Sequence, residues 1–127
     1  MAYHFSRIVD VPFDAALARV KEALKGEGFG VLTQIDVSET LKKKLEVDFR
    51  PYRILGACNP SFAFEALEAE DKVGTMLPCN VIVQEAPGGV EVSAVDPVAS
   101  MAAIDNPALV RIAATVRNKL KKVIESL

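Results

Sequence analysis

Met76-Leu77-Pro78-Cys79-Asn80-Val81-Ile82-Val83-Gln84-Glu85 (76–85) runs through Ala86 into Pro87-Gly88-Gly89, then into Val90-Glu91-Val92-Ser93-Ala94-Val95 (90–95). The first run is long and strongly apolar. The second alternates around β-branched valines. A Pro-Gly-Gly turn between two such runs predicts a β-hairpin with strands at 76–85 and 90–95. Hairpin strands pair antiparallel, which sets the character of this part of the sheet. Asp96-Pro97 then leaves it.

Upstream, Tyr52 to Ala57 reads as a strand, and so does the apolar stretch Phe29 to Val37. Between them, Ser38 is the expected N-cap of a short helix through Leu45. Its Lys42-Lys43-Lys44 triple reads as a solvated face. Residues 3 to 9 form a first strand, with His4 in an edge position. Pro12 opens a helix whose stripe is Phe13, Leu17, Val20 and Leu24, stopped by Gly26 and Gly28. Asn59-Pro60 starts another helix, running to about Asp71. Asn106-Pro107 repeats that signature downstream. Leu109, Ile112, Ala113, Val116, Leu120, Val123 and Leu127 then hold one helical stripe. The order is strand, helix, strand, short helix, strand, helix, strand, strand, helix. It predicts an α+β fold: a single, largely antiparallel sheet of about five strands with helices packed on one face.

The chain's 127 residues are expected to form a single domain, 1–127, with enough core to fold without a staple. Half of the residues are hydrophobic and a quarter charged, which excludes bulk disorder. The net charge of -2 argues against nucleic-acid binding, which needs a basic excess. No signal peptide or membrane-spanning run is visible, so a soluble, cytoplasmic protein is expected, with no membrane partner. Gly26-Glu27-Gly28-Phe29-Gly30 follows a helix, the wrong context for a dinucleotide loop. With His4 as the one histidine, no Ser-His-Asp triad is available.

Cys58 and Cys79 stand 21 positions apart, and one such pair is not a disulfide framework. Cys58 precedes the expected cap Asn59. A helix N-terminus favours a thiolate there, a route to a reactive cysteine. Cys79 opens a strand after Pro78, which cannot donate to a ladder. If the two strands are neighbours, the sulfurs approach one another. Both cysteines precede an asparagine (Asn59 and Asn80) and lie near a proline, as if two turns framed one pocket. Such thiols can form a reversible disulfide, carry sulfur, or bind a soft metal with Met101 or Met76 as third ligand. The plain alternative is that both are small core residues. Arg50-Pro51-Tyr52-Arg53 gathers two guanidinium groups and a phenol around one turn. These can hold an anionic ligand or make ion bridges to Asp36, Glu46 or Asp48.

GFGVLTQIDVSETLKKKLEVDFRPYRILGACNP (28–60), PCNV (78–81) and Asp96-Pro97 together resemble the domain-of-unknown-function family 302, over nearly the whole chain. The resemblance implies a small prokaryotic α+β protein with a TATA-binding-protein-like fold (β-α-β-β-β-β-α with an extra helix) that assembles as a homodimer. It implies no DNA binding and brings no settled activity. The segments carrying it include Thr33, Asp36, Thr40, Lys43, Asp48, Phe49, Arg50, Tyr52, Gly56, Cys58, Asn59, Pro60, Leu77, Pro78, Cys79 and Asn80. It also favours one site made of the Cys-Asn pairs and the Arg-Pro-Tyr-Arg turn.

Three functions follow as expectations. The first is a small-ligand or soft-metal binding module using Arg50, Tyr52, Arg53, Cys58, Asn59, Cys79 and Asn80. The second is a thiol redox enzyme or sulfur carrier, with Cys58 as nucleophile and Cys79 as resolving partner. The third is a structural or interaction protein with buried core cysteines.

Overall fold

The 76–95 hairpin forms the middle of the sheet. In the computed structural model, which describes residues 2–127, five strands lie in the order β1-β5-β4-β3-β2 with every neighbouring pair antiparallel. The elements run β1 (His4–Val9), α1 (Phe13–Gly26), β2 (Gly30–Asp36), α2 (Val37–Leu45), β3 (Tyr52–Cys58), α3 (Pro60–Ala69), β4 (Cys79–Ala86), β5 (Gly89–Val95), α4 (Pro97–Ser100) and α5 (Pro107–Glu125). The expected α+β sheet with helices on one face is therefore observed. Three helices, α1 to α3, interrupt the strands, more than the succession implied by the family resemblance.

Three local expectations change. β4 begins at Cys79 rather than Met76, because Asp71–Met76 forms a 3-10 turn. That turn also ends α3 at Ala69. Ser38 does not cap α2. The helix follows β2 without a loop, so Asp36, at the end of the strand, takes the cap position. One carboxylate oxygen of Asp36 accepts from the Glu39 N–H (3.0 Å) and from the Ser38 hydroxyl (2.8 Å). Those bonds, with the Arg53 guanidinium beside it, hold the Asp36 carboxyl below its ordinary range. Finally, Asp96-Pro97 starts a short helix, α4. Asp96 caps it through the Val98 N–H (2.9 Å) and accepts from Arg117 Nε (3.1 Å), tying the end of β5 to α5.

Alternation sorts the strands into two faces. Leu55, Ala57, Cys79, Val81, Val83, Val92 and Ala94 point inward against Leu17, Val20 and Leu24 of α1 and Val116, Leu120 and Val123 of α5. Each fully buried Val or Leu contributes about 1.5–3 kcal/mol relative to exposure. A second, smaller cluster of Ala66, Val73, Met101, Leu109 and Ala113 lies under α3, α4 and α5. The outer face carries no helix. Cross-strand pairing there makes a continuous row, Ser6–Ser93–Ile82–Ile54–Ile35.

Candidate functional site

β3 and β4 are neighbours, with Ala57 directly opposite Cys79. The chain turns out of β3 at Cys58-Asn59-Pro60 into α3, at the same end of the sheet where β4 begins. Both cysteines therefore line one cavity of about 280 Å³. Its walls come from both core clusters: Phe29, Ala57 and Val116 on one side, Ala66, Met101 and Ala113 on the other. The cavity is thus the seam between two packed groups rather than a defect inside one. Phe62 and Leu77 complete a largely apolar lining.

The two thiols are free and differ in setting. Cys58 is half-buried, whereas Cys79 is 8% exposed. Burial, reinforced by the charge that Cys58 would carry, pushes the Cys79 thiol up to about 11. Cys79 is consequently protonated and weakly nucleophilic near neutral pH. Met101 lines the same cavity and Met76 does not. Among the described residues, no group of three or more His, Cys, Asp or Glu side chains is placed to hold a metal ion.

Asn59 occupies the N-cap position of α3 but its side chain does not cap it. Instead Asn59 Nδ2 donates to the Glu27 carbonyl at 3.3 Å, tying the α1–β2 turn to the start of α3. Pro60 has no N–H, and the first intrahelical bond runs from Ala63 N–H to the Asn59 carbonyl (2.9 Å). The N–H groups of Ser61 and Phe62 are thus left without a capping side chain. Asn106 shows the contrast. It caps α5 through the Ala108 N–H (3.0 Å) and also donates to the Ala69 carbonyl (2.9 Å).

The expected joining of the arginine turn to the cysteine pocket is not observed. Only Cys58, Asn59 and Cys79 of the seven expected residues line the cavity. Tyr52 and Asn80 lie in a shallow groove on the outer face, with His4, Ser6, Gln84 and Ser93. Arg50 stands beside that groove. It donates twice to Gln84 Oε1 (2.8 and 3.0 Å), and its guanidinium lies 4.4 Å from the Phe49 ring centroid and 5.6 Å from that of Tyr52. Arg53 points to the other face and pairs with Asp36 at 3.3 Å. That is one of the ion bridges expected for this turn; Asp48 instead pairs with Lys42 (2.9 Å). Strand alternation is the cause: residues 52 and 53, like 79 and 80, point to opposite sides of one sheet.

His4 also enters a chain of contacts that sequence reading missed. Its Nδ1 lies 2.8 Å from the Ser6 hydroxyl, which lies 2.7 Å from the Ser93 hydroxyl. The signal was the pairing of β1 with β5, which places Ser6 opposite Ser93. Lys119 stands on α5 three positions after Val116 and does not line the cavity. Its Nζ lies 6.0 Å from the Phe62 ring centroid.

Among the described residues, no helix is long and apolar enough to cross a membrane. No curated protein gives a significant match to the chain. A solved structure, that of an uncharacterized conserved DUF302 protein from Bacillus stearothermophilus, is similar over 98% of both chains, with 33% identity and a TM-score of 0.91. Residues 5–127 match the family model described as domain of unknown function DUF302. A match across nearly the whole chain, on a shared fold, means that this protein belongs to the DUF302 family.

Proposed function

We propose that the protein is a binding module for a small, mainly apolar ligand, held in the cavity between β3, β4, α3 and α5. The observation that carries this reading is the convergence of Cys58 and Cys79 on one apolar space of about 280 Å³. That volume is near the lower end of small-molecule pockets. A concave apolar space between two packed clusters, with a few polar groups at its wall, is the form that small-molecule sites take.

The soft-metal version draws on the two thiols and the Met101 thioether on the same walls. A soft metal would have to displace the proton that burial holds on Cys79, a cost the organic ligand does not carry, so the organic ligand leads. The same proton counts against the thiol redox enzyme or sulfur carrier, because Cys79 would resolve a Cys58 adduct slowly. Free thiols suit a reducing cytoplasm, which we take as the compartment.

Native mass spectrometry of freshly purified protein, followed by calorimetric titration with indole, tests the reading. We expect saturable binding that Ala63→Leu, which fills the cavity wall, abolishes. A protein that carries no small molecule and does not bind indole would leave the structural or interaction role. If the double Cys→Ser variant keeps every ligand of the parent, the thiols are only part of the wall.

We also propose a homodimer built on the outer face of the sheet. An antiparallel sheet with one covered face normally turns polar residues to water. Ile35 on this face is about half exposed and continues through Ile54 and Ile82 in one row, with the half-exposed Ile8 two residues along β1 from the row's end at Ser6. A second copy laid face to face would cover this row.

A further inference from the structure

We infer that α3 is the lid of the cavity, fastened at its two ends by Asn59 and Asn106, and that a bound ligand completes the helix's packing. This rests on the cavity reading above and adds the route by which a ligand enters and the element that responds to it.

The inward stripe of α3 consists of Phe62, Ala63, Ala66 and Leu67, and all four line the cavity. An amphipathic helix normally buries such a stripe against other side chains. α5 does so, with six buried residues. Of the ten residues of α3, only Ala66 is buried. Phe62 reaches the main core from a partly buried position, and Leu67 is 45% exposed. Leu32 of β2, 67% exposed, lines the same cavity, which therefore meets solvent beside α3 and β2. The stripe thus borders the cavity more than it borders protein. A helix with so few buried apolar contacts belongs to the low end of local stability. An apolar molecule in the cavity would cover the stripe and add the burial that α3 otherwise lacks.

The ends of α3 are fastened by polar contacts instead. Asn59 Nδ2 donates to the Glu27 carbonyl (3.3 Å) just before the helix, and Asn106 Nδ2 donates to the carbonyl of its last residue, Ala69 (2.9 Å). Each is a single hydrogen bond that water can replace at small net cost. The flanking residues Asn59 (φ -102°, ψ 103°) and Glu70 (φ -152°, ψ 108°) are extended, not helical. Two such joints allow the helix to move as a unit, as hinges do in other lids. The rest of the wall resists. Ala57, Cys79 and Val116 belong to the main core, where a displacement would disturb close packing on every side.

Hydrogen exchange of the full chain, read by mass spectrometry with and without saturating indole, tests the inference. In the free protein the amides of residues 63–69 should exchange about tenfold or more faster than those of residues 111–123, and indole should slow them about tenfold or more. Asn106→Asp keeps the side-chain oxygen that caps α5 but lacks the amide that holds Ala69. It should speed exchange in α3 further and raise both the association and the dissociation rate of indole in stopped flow. Exchange in α3 as slow as in α5, or exchange that bound indole leaves unchanged, overturns the lid and leaves the cavity reading intact. Unaltered indole kinetics in a folded Asn106→Asp protein do the same; should that variant not fold, exchange in the parent decides alone. Absence of saturable indole binding overturns the cavity reading, and the lid with it.

Discussion

Ala57 stands directly across the β3–β4 ladder from Cys79, and Cys58, where the chain leaves β3 for α3, lines the same cavity as Cys79. Two cysteines 21 positions apart thereby share one wall while keeping unequal exposure. Reagent access favours Cys58, while burial suppresses the thiolate of Cys79. At pH 8 the native protein should lose one thiol to iodoacetamide quickly and the second only on unfolding. Cys58→Ser should leave almost no fast-reacting thiol. Mass spectrometry of the alkylated peptides reads the result, and two thiols modified at equal rates in the native protein would contradict the assigned settings.

Cys79 also makes stability depend on pH in a defined window. Its folded pKa is raised to about 11, above that of an unfolded cysteine. Between the two values the unfolded chain has released a proton that the folded chain still holds, so stability falls as pH rises. The contribution is fully present below about pH 8.5 and is lost on the way to pH 11, an effect of roughly 3 kcal/mol. The comparison is with Cys79→Val, which lacks this proton. Urea unfolding at pH 8 and pH 11 should show a steeper loss in the parent than in the variant. Parallel losses would mean that Cys79 does not carry the effect.

Gly56 is the close-packing point of the outer face. A Cβ placed there would lie 2.1 Å from Thr33 Oγ1 and 2.7 Å from Pro78 Cγ. The Thr33 hydroxyl has to leave its rotamer, and the Pro78 ring yields only if the segment entering β4 moves. Gly56→Ala should therefore destabilise the fold by about 1–3 kcal/mol, the usual cost of overpacking. Adding Thr33→Ala should recover part of the loss, because it removes the nearer clash. Chemical denaturation of the two single variants and the double variant checks this, and strict additivity would count against the contact.

Much of the fold was legible because its signals are local. The Pro-Gly-Gly turn and the valines of 90–95 predicted the β4–β5 hairpin, and the stripe from Leu109 to Leu127 predicted α5. Asp36 was passed over because β2 runs directly into α2 with no loop to mark the boundary. The candidate site was half legible. Cys58, Asn59 and Cys79 converge because each stands at the end of an element that the topology brings together. Arg50, Tyr52 and Asn80 were grouped with them by closeness in sequence, which alternation overrides in a strand.

The proposed pairing of two copies can be tested through Ile82. It lies on β4, the middle strand, flanked in its row by Ser93 and Ile54. In a face-to-face pair this position would lie in the desolvated centre, where a charge without a partner costs several kcal/mol. In a lone copy the same side chain is only half covered, so Ile82→Lys costs the monomer little. Sedimentation equilibrium of the parent should give twice the chain mass, and that of Ile82→Lys the single mass with an unchanged circular dichroism spectrum. The cavity lies on the opposite side of the sheet, so ligand affinity should survive the substitution. A variant that stays dimeric would move the interface elsewhere, to the half-exposed Leu45, Val47 and Phe49 beside β2.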